Sequence, residues 1–152
     1  MEDQTEGSRW GEPLMTVESE QTNMSIQLEA GGQILLMLYD GAIRFLREAK
    51  SAEKSNRKDI RTARIHRSQA IISELRATLQ HETAPELCQQ LDSLYCFMID
   101  QLRIANESNN IAPVDVVINI LDDLRGAWRH AVHETDAEVV DGMVDTDVAI
   151  VG

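Results

Sequence analysis

Apolar residues recur at intervals of three and four along four stretches of the chain, which is the spacing of one face of an α-helix. The fourth stretch is the most regular, with apolar residues at Val114, Val117, Leu121, Leu124, Trp128 and Ala131. The third repeats Leu87, Leu91, Leu94, Met98, Leu102 and Ala105, and the second has the stripe Ile65, Ser68, Ile72, Leu75 and Leu79. The pattern predicts four amphipathic helices that pack on one another.

The first stretch, ILLMLYDGAIRFLREAK, contains the dipeptide Asp40-Gly41, a strong signal for a hairpin turn. A turn there would reset the apolar period. Instead, Leu35, Leu38 and Ala42 keep one helical register through the dipeptide. The sequence therefore predicts a single helix over about 33–54, in which Gly41 costs about 1 kcal/mol relative to alanine and admits a close neighbour.

The connections between these stretches are short and polar, around residues 55–58, 81–83 and 108–112. Connections of this length place consecutive helices antiparallel. We therefore expect an all-α protein, an antiparallel up-down-up-down four-helix bundle over 33–133. Gly31-Gly32 would separate it from an acidic N-terminal segment, 1–32, and a disordered acidic tail would follow, 134–152.

The formal net charge of -12 comes from the two ends of the chain, because residues 30–133 carry 13 acidic and 13 basic residues. Within that region, residues 30–80 have ten bases and five acids, and residues 81–133 have three bases and eight acids. Phe45 is the sole aromatic residue among the bases from Arg44 to Arg76. Two complementary helical hairpins are favoured over a nucleic-acid-binding surface, so no nucleic-acid partner is expected.

The two cysteines, Cys88 and Cys96, are eight residues apart. On a helix this is a rise of about 12 Å, too far for a disulfide. No apolar run approaches the roughly 20 residues of a membrane span, and the N-terminus has no basic-then-apolar secretion signal. We expect a soluble cytosolic protein with reduced thiols and no membrane insertion.

Enzymatic chemistry finds little support in the sequence. The Glu-x-x-His pairs of di-iron bundles are missing, and His130 with His133 or Glu134 supplies two metal ligands where three or four are needed. No nucleophile-base spacing or glycine-rich phosphate loop occurs. We therefore predict no enzyme, no metal and no cofactor. Two alternatives stay open: a four-helix adaptor with another client, and a histidine phosphotransfer domain that uses His66.

The segment LMLYDGAIRFL, Leu36 to Leu46, closely resembles the signature on the first helix of the flagellin export chaperones, the FliS family. Further similar motifs follow in the same order: IISEL from Ile71, LYCFM from Leu94, and LDDLRGAW from Leu121. The resemblance covers about 30–133.

The resemblance implies a bundle that binds the disordered C-terminal region of flagellin in the cytosol, prevents premature filament polymerisation and aids type III export. The client would become helical as it binds. A flagellar export-gate component is a further candidate partner, and monomer and homodimer both stay open. The chain departs from the family in three places. At Glu29–Gln33 it lacks the Ser-Pro helix start that is common in the family, and its acidic tail has no clear counterpart there. Its N-terminal segment also has no tyrosine, which puts docking to the export gate in question.

The first helix has more apolar residues than one buried stripe can hold. The predicted client-binding residues, among which Tyr39 and Ile43 are preferred, are Ile34, Leu36, Met37, Tyr39 and Ile43. The predicted core comprises Leu38, Gly41, Ala42, Leu75, Leu94, Met98, Leu121, Leu124 and Trp128. In the family an N-terminal segment can cover the client groove, and the corresponding cap residues here would be Leu14, Val17 and Met24.

Overall fold

A computed structural model describes the backbone of residues 18–151 and the side chains of residues 31–134. It contains four helices: α1 (Glu18–Lys54), α2 (Lys58–Ala77), α3 (Pro85–Ser108) and α4 (Ala112–Val151). No strand occurs within 18–151. Helices α1 and α3 each pack against both α2 and α4. The four helices thus enclose one core, as in a four-helix bundle.

Helix α1 passes through Asp40 and Gly41 without interruption, as the apolar period predicts. A Cβ atom at Gly41 would lie 3.3 Å from Cδ1 of Ile71 on α2. This is closer than ordinary van der Waals contact, so the missing side chain lets Ile71 approach the backbone of α1. The glycine that suggests a turn is therefore a site of close helix packing.

The ends of the outer helices differ from the prediction. Helix α1 begins at Glu18 rather than near residue 33, and α4 continues to Val151 rather than ending near residue 133. Gly31 and Gly32 each weaken a helix by about 1 kcal/mol but keep their backbone hydrogen-bonding groups, so they need not end it. The division into segment, bundle and tail stays a prediction.

The predicted N-terminal cap cannot be placed on this structure. Leu14 and Val17 lie outside the described residues. Met24 falls within α1 but before residue 31, where the described side chains begin.

The core follows the predicted stripes with two local shifts, and Gly41, also expected in the core, is partly exposed. Of the residues expected in the core, six are buried: Ala42, Leu75, Met98, Leu121, Leu124 and Trp128. Leu38 and Leu94 are only half-buried, because the neighbouring Tyr39 and Tyr95 occupy the core positions. Both shifts replace an aliphatic side chain by a tyrosine one position later.

One end of the core contains a buried arginine. Arg61 is four residues before Ile65 and continues the buried stripe of α2. Its Nη1 donates to Oε1 of Glu53 on α1 at 2.6 Å, and its Nη2 donates to Oδ1 of Asn109 at 2.5 Å. Asn109 is the left-handed C-cap of α3, with φ 53°, a conformation that asparagine tolerates. Arg61 therefore links α1, α2 and the end of α3.

Along the contact between α1 and α2, residue numbers rise on α1 while they fall on α2. Ser68 Oγ donates to the carbonyl oxygen of Ala42 at 3.1 Å, and Arg64 Nε donates to Oε1 of Glu48 at 2.8 Å. The Arg61–Glu53 pair continues the series. Contacts between α1 and α4 follow the same order, from Asp40–Arg125 through Arg47–Asp122 to Lys50–Asp115.

Replacing Arg61 by alanine should lower the free energy of unfolding by about 2–3 kcal/mol. The change leaves Glu53 and Asn109 without their partner, although Glu53 is exposed enough to recover some hydration. Urea denaturation followed by circular dichroism measures the loss.

The matched control is Arg103→Ala, which removes an exposed arginine paired with Asp100 and Glu107 on its own helix. Exposed pairs contribute about 1 kcal/mol or less, so this variant should stay close to the parent. Equal losses in the two variants would contradict the structural role assigned to Arg61.

Candidate functional site

Helix α1 exposes two large apolar side chains, Ile34 at 63% and Met37 at 69%. Gly41 and Phe45 follow Met37 at steps of four, so all four positions lie along one face of the helix. Gly41 and Phe45 are partly exposed. Single exposed apolar residues are common on protein surfaces, whereas several along one face indicate an interaction site.

Helix α2 forms the other side of this surface. Ile71 lies against Gly41, and the guanidinium carbon of Arg67 lies 4.8 Å from the ring centre of Phe45. The α1–α2 seam is defined here as Ile34, Met37, Gly41 and Phe45 of α1 with Arg67 and Ile71 of α2. At its middle Gly41 contributes no side chain, and Ile71 of α2 packs there. One of its ends is apolar and the other is basic.

The length of the seam suits a short helix. Ile34 and Phe45 are separated by eleven residues, which is a rise of about 16 Å or three helical turns. A partner helix with apolar residues at positions i, i+3 or i+4, and i+7 would place them along such a surface. The α1–α2 seam can therefore accept one face of an amphipathic helix.

Two predicted client-binding residues lie in the core instead. Tyr39 is 0% exposed, and Ile43 is buried beside it in the apolar cluster. The Tyr39 hydroxyl accepts a hydrogen bond from Trp128 Nε1 at 3.0 Å and lies 2.5 Å from the Tyr95 hydroxyl. These bonds supply the polar partners that allow a tyrosine to be buried. Neither side chain is exposed in the described structure, so a role of Tyr39 or Ile43 in client binding stays a prediction.

The other three predicted residues divide between surface and core. Leu36 is half-buried and packs against the core, whereas Ile34 and Met37 are exposed. Fully buried residues on α1 recur at steps of three and four, at Tyr39, Ala42, Leu46 and Ala49, and the half-buried Leu35 lies one step earlier. A stripe through Leu38 in place of Tyr39 also has steps of three and four, so the sequence left both registers open.

Burial sets the protonation of the two tyrosines. It raises the pKa of Tyr39 well above its ordinary value, and the neighbouring Tyr95 acts in the same direction. Burial also raises the pKa of Tyr95, to about 12. The charged phenolate is disfavoured in the apolar core. Both hydroxyls therefore resist ionisation near pH 10, where a free tyrosine ionises, and keep the three aromatic side chains connected.

A second apolar patch lies on α3, where sequence reasoning proposed no binding residue. Phe97 is 45% exposed and lies one turn from the half-buried Leu94. Both line an open depression with the polar side chains of Glu86, Gln89, Gln90 and Ser93. The signal was the motif LYCFM, in which Phe97 falls outside the stripe that contains Met98.

The basic and acidic hairpins pair with each other at the surface of the bundle, across neighbouring helices. Lys50 Nζ lies 2.6 Å from Asp115 of α4, and Arg76 Nε lies 2.6 Å from Asp92 of α3. Arg47 reaches Asp122 at 3.4 Å. Much of the predicted charge separation thus serves contacts between helices.

Other chemistry is limited in the described region. His66 is exposed on α2, and His130 Nε2 lies 2.9 Å from Oε2 of Glu134 on the surface of α4. Within residues 31–134, no three metal-binding side chains converge. No helix in the described part of the chain is both long and apolar enough to cross a bilayer.

The tyrosine pair predicts a loss of stability at high pH. Unfolded tyrosines ionise near pH 10, whereas the folded pair stays protonated to higher pH. The stabilising contribution of the two protonated tyrosines is complete below about pH 10 and is lost as the pH rises towards 12. Urea denaturation between neutral pH and about pH 11 should show the decline.

Tyr39→Phe is the comparison for this measurement. It should lower stability at neutral pH by about 1–3 kcal/mol, because Trp128 Nε1 and the Tyr95 hydroxyl lose a partner. It should also show a shallower decline at high pH, since one buried phenol is gone. A decline parallel to that of the parent would refute this origin of the pH dependence.

Comparisons with known proteins assign the family. A family model described as flagellar protein FliS matches residues 16–135. The flagellar secretion chaperone FliS of Campylobacter jejuni is 35% identical over 109 residues, covering 72% of this chain and 84% of that protein. The FliS chaperone of Vibrio cholerae is 33% identical over 96 residues, with coverages of 63% and 71%. That of Bacillus subtilis is 30% identical over 108 residues, with coverages of 71% and 80%.

The matched region spans most of the bundle, including the α1–α2 seam and the aromatic core residues. Its length and the agreement among relatives from different bacteria confirm the resemblance carried by the four sequence motifs. The chain belongs to the FliS family of flagellar secretion chaperones, which are not enzymes.

Proposed function

We propose that this protein is a cytosolic chaperone that binds the disordered C-terminal region of flagellin, prevents its premature polymerisation and aids its type III export. The observation that carries the proposal is the exposure of Ile34 and Met37 on one face of α1, next to the close contact between Gly41 and Ile71. The relatives' common name, flagellar secretion chaperone, supports a flagellar client.

We further infer an up-down-up-down order for the four helices. The reversed order of residue contacts between α1 and α2, and between α1 and α4, supports this topology. The short connections between consecutive helices support it as well. In this arrangement α1 and α2 run side by side, and the seam follows the line of their contact.

The client must bury enough apolar surface to offset the conformational entropy that it loses on becoming ordered. A disordered segment loses conformational entropy at every residue that becomes helical, so one short seam would bind it weakly. The patch at Leu94 and Phe97 offers further apolar surface on α3. A client that continues from the α1–α2 seam around the bundle would use both surfaces.

Two properties remain predictions within this proposal. Docking to a flagellar export-gate component would deliver the chaperone and client to the secretion machinery. The protein would act as a monomer or a homodimer.

The two alternative functions are less well supported. An adaptor for another client would use the same apolar surface, but the family is one of flagellar secretion chaperones. A phosphotransfer domain would need phosphate-binding groups around His66. Arg64 is paired with Glu48, and Arg67 lies over Phe45. The family assignment favours neither alternative.

Replacing Ile34 and Met37 together by glutamine should weaken binding of the flagellin C-terminal segment at least tenfold. Each apolar side chain contributes about 1.5 kcal/mol or more when a partner buries it, and a tenfold change needs about 1.4 kcal/mol. Stability should hardly change, because both side chains are exposed in the free protein and glutamine favours helix. Calorimetric titration of the full-length chain measures the affinity.

Val116→Gln is the matched control, because Val116 is 42% exposed on α4 and does not contribute to the seam. It should bind like the parent, with a negative heat-capacity change and a gain of client helix. Parent-like binding by the double variant would exclude the seam as the client site. No binding by the folded parent would exclude the flagellin segment as the client.

A further inference from the structure

Two arginines hold their guanidinium groups over the same aromatic ring at the basic end of the α1–α2 seam. The guanidinium carbons of Arg44 and Arg67 lie 4.9 Å and 4.8 Å from the centre of the Phe45 ring. Contact with a ring restrains the planar group, while its N–H donors remain at the edges. The two groups are thus positioned before any partner arrives.

Neither group has a strong acidic partner in the described part of the protein. No carboxylate of residues 31–134 is within ion-pair distance of Arg67. Arg44 reaches only Oε2 of Glu48, at 3.8 Å, whereas Arg64 holds Oε1 of Glu48 at 2.8 Å. By contrast, Arg76 and Arg103 each lie within 2.8 Å of a carboxylate oxygen.

We propose that Arg44 and Arg67 bind an acidic residue of the client helix and thereby select its sequence and its register on the seam. This inference rests on the proposed function and deepens it. The favoured client helix has an apolar stripe that faces Ile34, Met37 and Gly41. It carries an aspartate or glutamate beside Phe45, about three turns from the residue that faces Ile34.

The chemistry gives the two ends of the seam different roles. The apolar end supplies non-directional contact, which tolerates many apolar sequences. The guanidinium groups favour a carboxylate through charge and paired N–H donors. Because the charge lies at one end only, a helix placed in the reversed direction would bring its acid to Ile34 and leave both arginines unpaired. Charge complementarity thus fixes orientation more than it raises affinity.

The test uses the full-length protein and the flagellin C-terminal segment from the same organism. Arg44 and Arg67 are together replaced by glutamine, and binding is measured by calorimetry at about 0.05 M and about 0.5 M salt. We expect the double variant to bind about three- to tenfold more weakly at low salt. The difference should shrink at high salt, where exposed charges are screened.

Two variants, each with one arginine replaced, distinguish a local effect at the seam from an effect of the protein's net charge. Arg67→Gln removes one charge at the seam, and Arg129→Gln removes one exposed charge on α4, away from the seam. Only the first should weaken binding if the arginine acts locally. Equal weakening by both would overturn the inference in favour of a general charge effect.

A client-side experiment keeps the test independent of any change in the chaperone's folding. Aspartates and glutamates of the flagellin segment are changed one at a time to asparagine and glutamine. One of them should weaken binding to the parent, and the same change should have no further effect on the Arg44→Gln, Arg67→Gln double variant. If the parent binds flagellin but no acid shows this coupling, the inference is wrong and the proposed function stands. If the folded parent does not bind the segment, the proposed function fails first.

Discussion

The hydrogen bonds among Tyr39, Tyr95 and Trp128 set the rotation of α1 within the bundle. They join α1, α3 and α4 in the core, where neither a hydroxyl nor an indole N–H can turn to water. Residues two positions before and after Tyr39 lie about 200° around the helix from it. Burial of Tyr39 therefore turns Met37 and Gly41 to the opposite side, where Gly41 meets α2 and Met37 is exposed. The geometry of the seam follows from the aromatic contacts in the core.

Periodicity predicts the four helices and most of their buried residues because the apolar stripes of the sequence are regular. It does not choose between Leu38 and Tyr39, or between Leu94 and Tyr95, because adjacent positions differ by only 100° and both side chains of each pair are apolar or amphipathic. The choice depends on hydrogen-bond partners from other helices, such as Trp128, 89 residues away. The sequence predicts Ile34 and Met37 as binding residues because the buried stripe of α1 has no room for them. Their exposure depends on how α1 is rotated within the bundle, which periodicity alone does not determine.

The helix ends show another limit of local sequence. Gly31-Gly32 has the composition of a break, yet α1 continues through it from Glu18. A local penalty ends a helix only when no neighbouring hydrogen bonds or packing offset it. Arg61 illustrates the same dependence on distant groups: its position on the α2 stripe is regular, but its burial depends on Glu53 and Asn109, which belong to α1 and the end of α3. Charge in a core position is acceptable only when such partners are supplied.

In the proposed mode of binding, stability and recognition use different members of the same residue types. Arg61 and Arg64 are engaged by carboxylates within the fold, whereas Arg44 and Arg67 rest on Phe45 with donors available. Tyr39 is committed to the core, whereas Met37, half a turn away, is exposed. Because the seam lies on two helices that are already packed, most of the ordering cost of binding falls on the client. The affinity for a disordered client then depends on how readily that segment forms a helix with its apolar and acidic residues in register. In the proposed binding mode, the sequence pattern of the unfolded chain therefore decides how well it fits the seam.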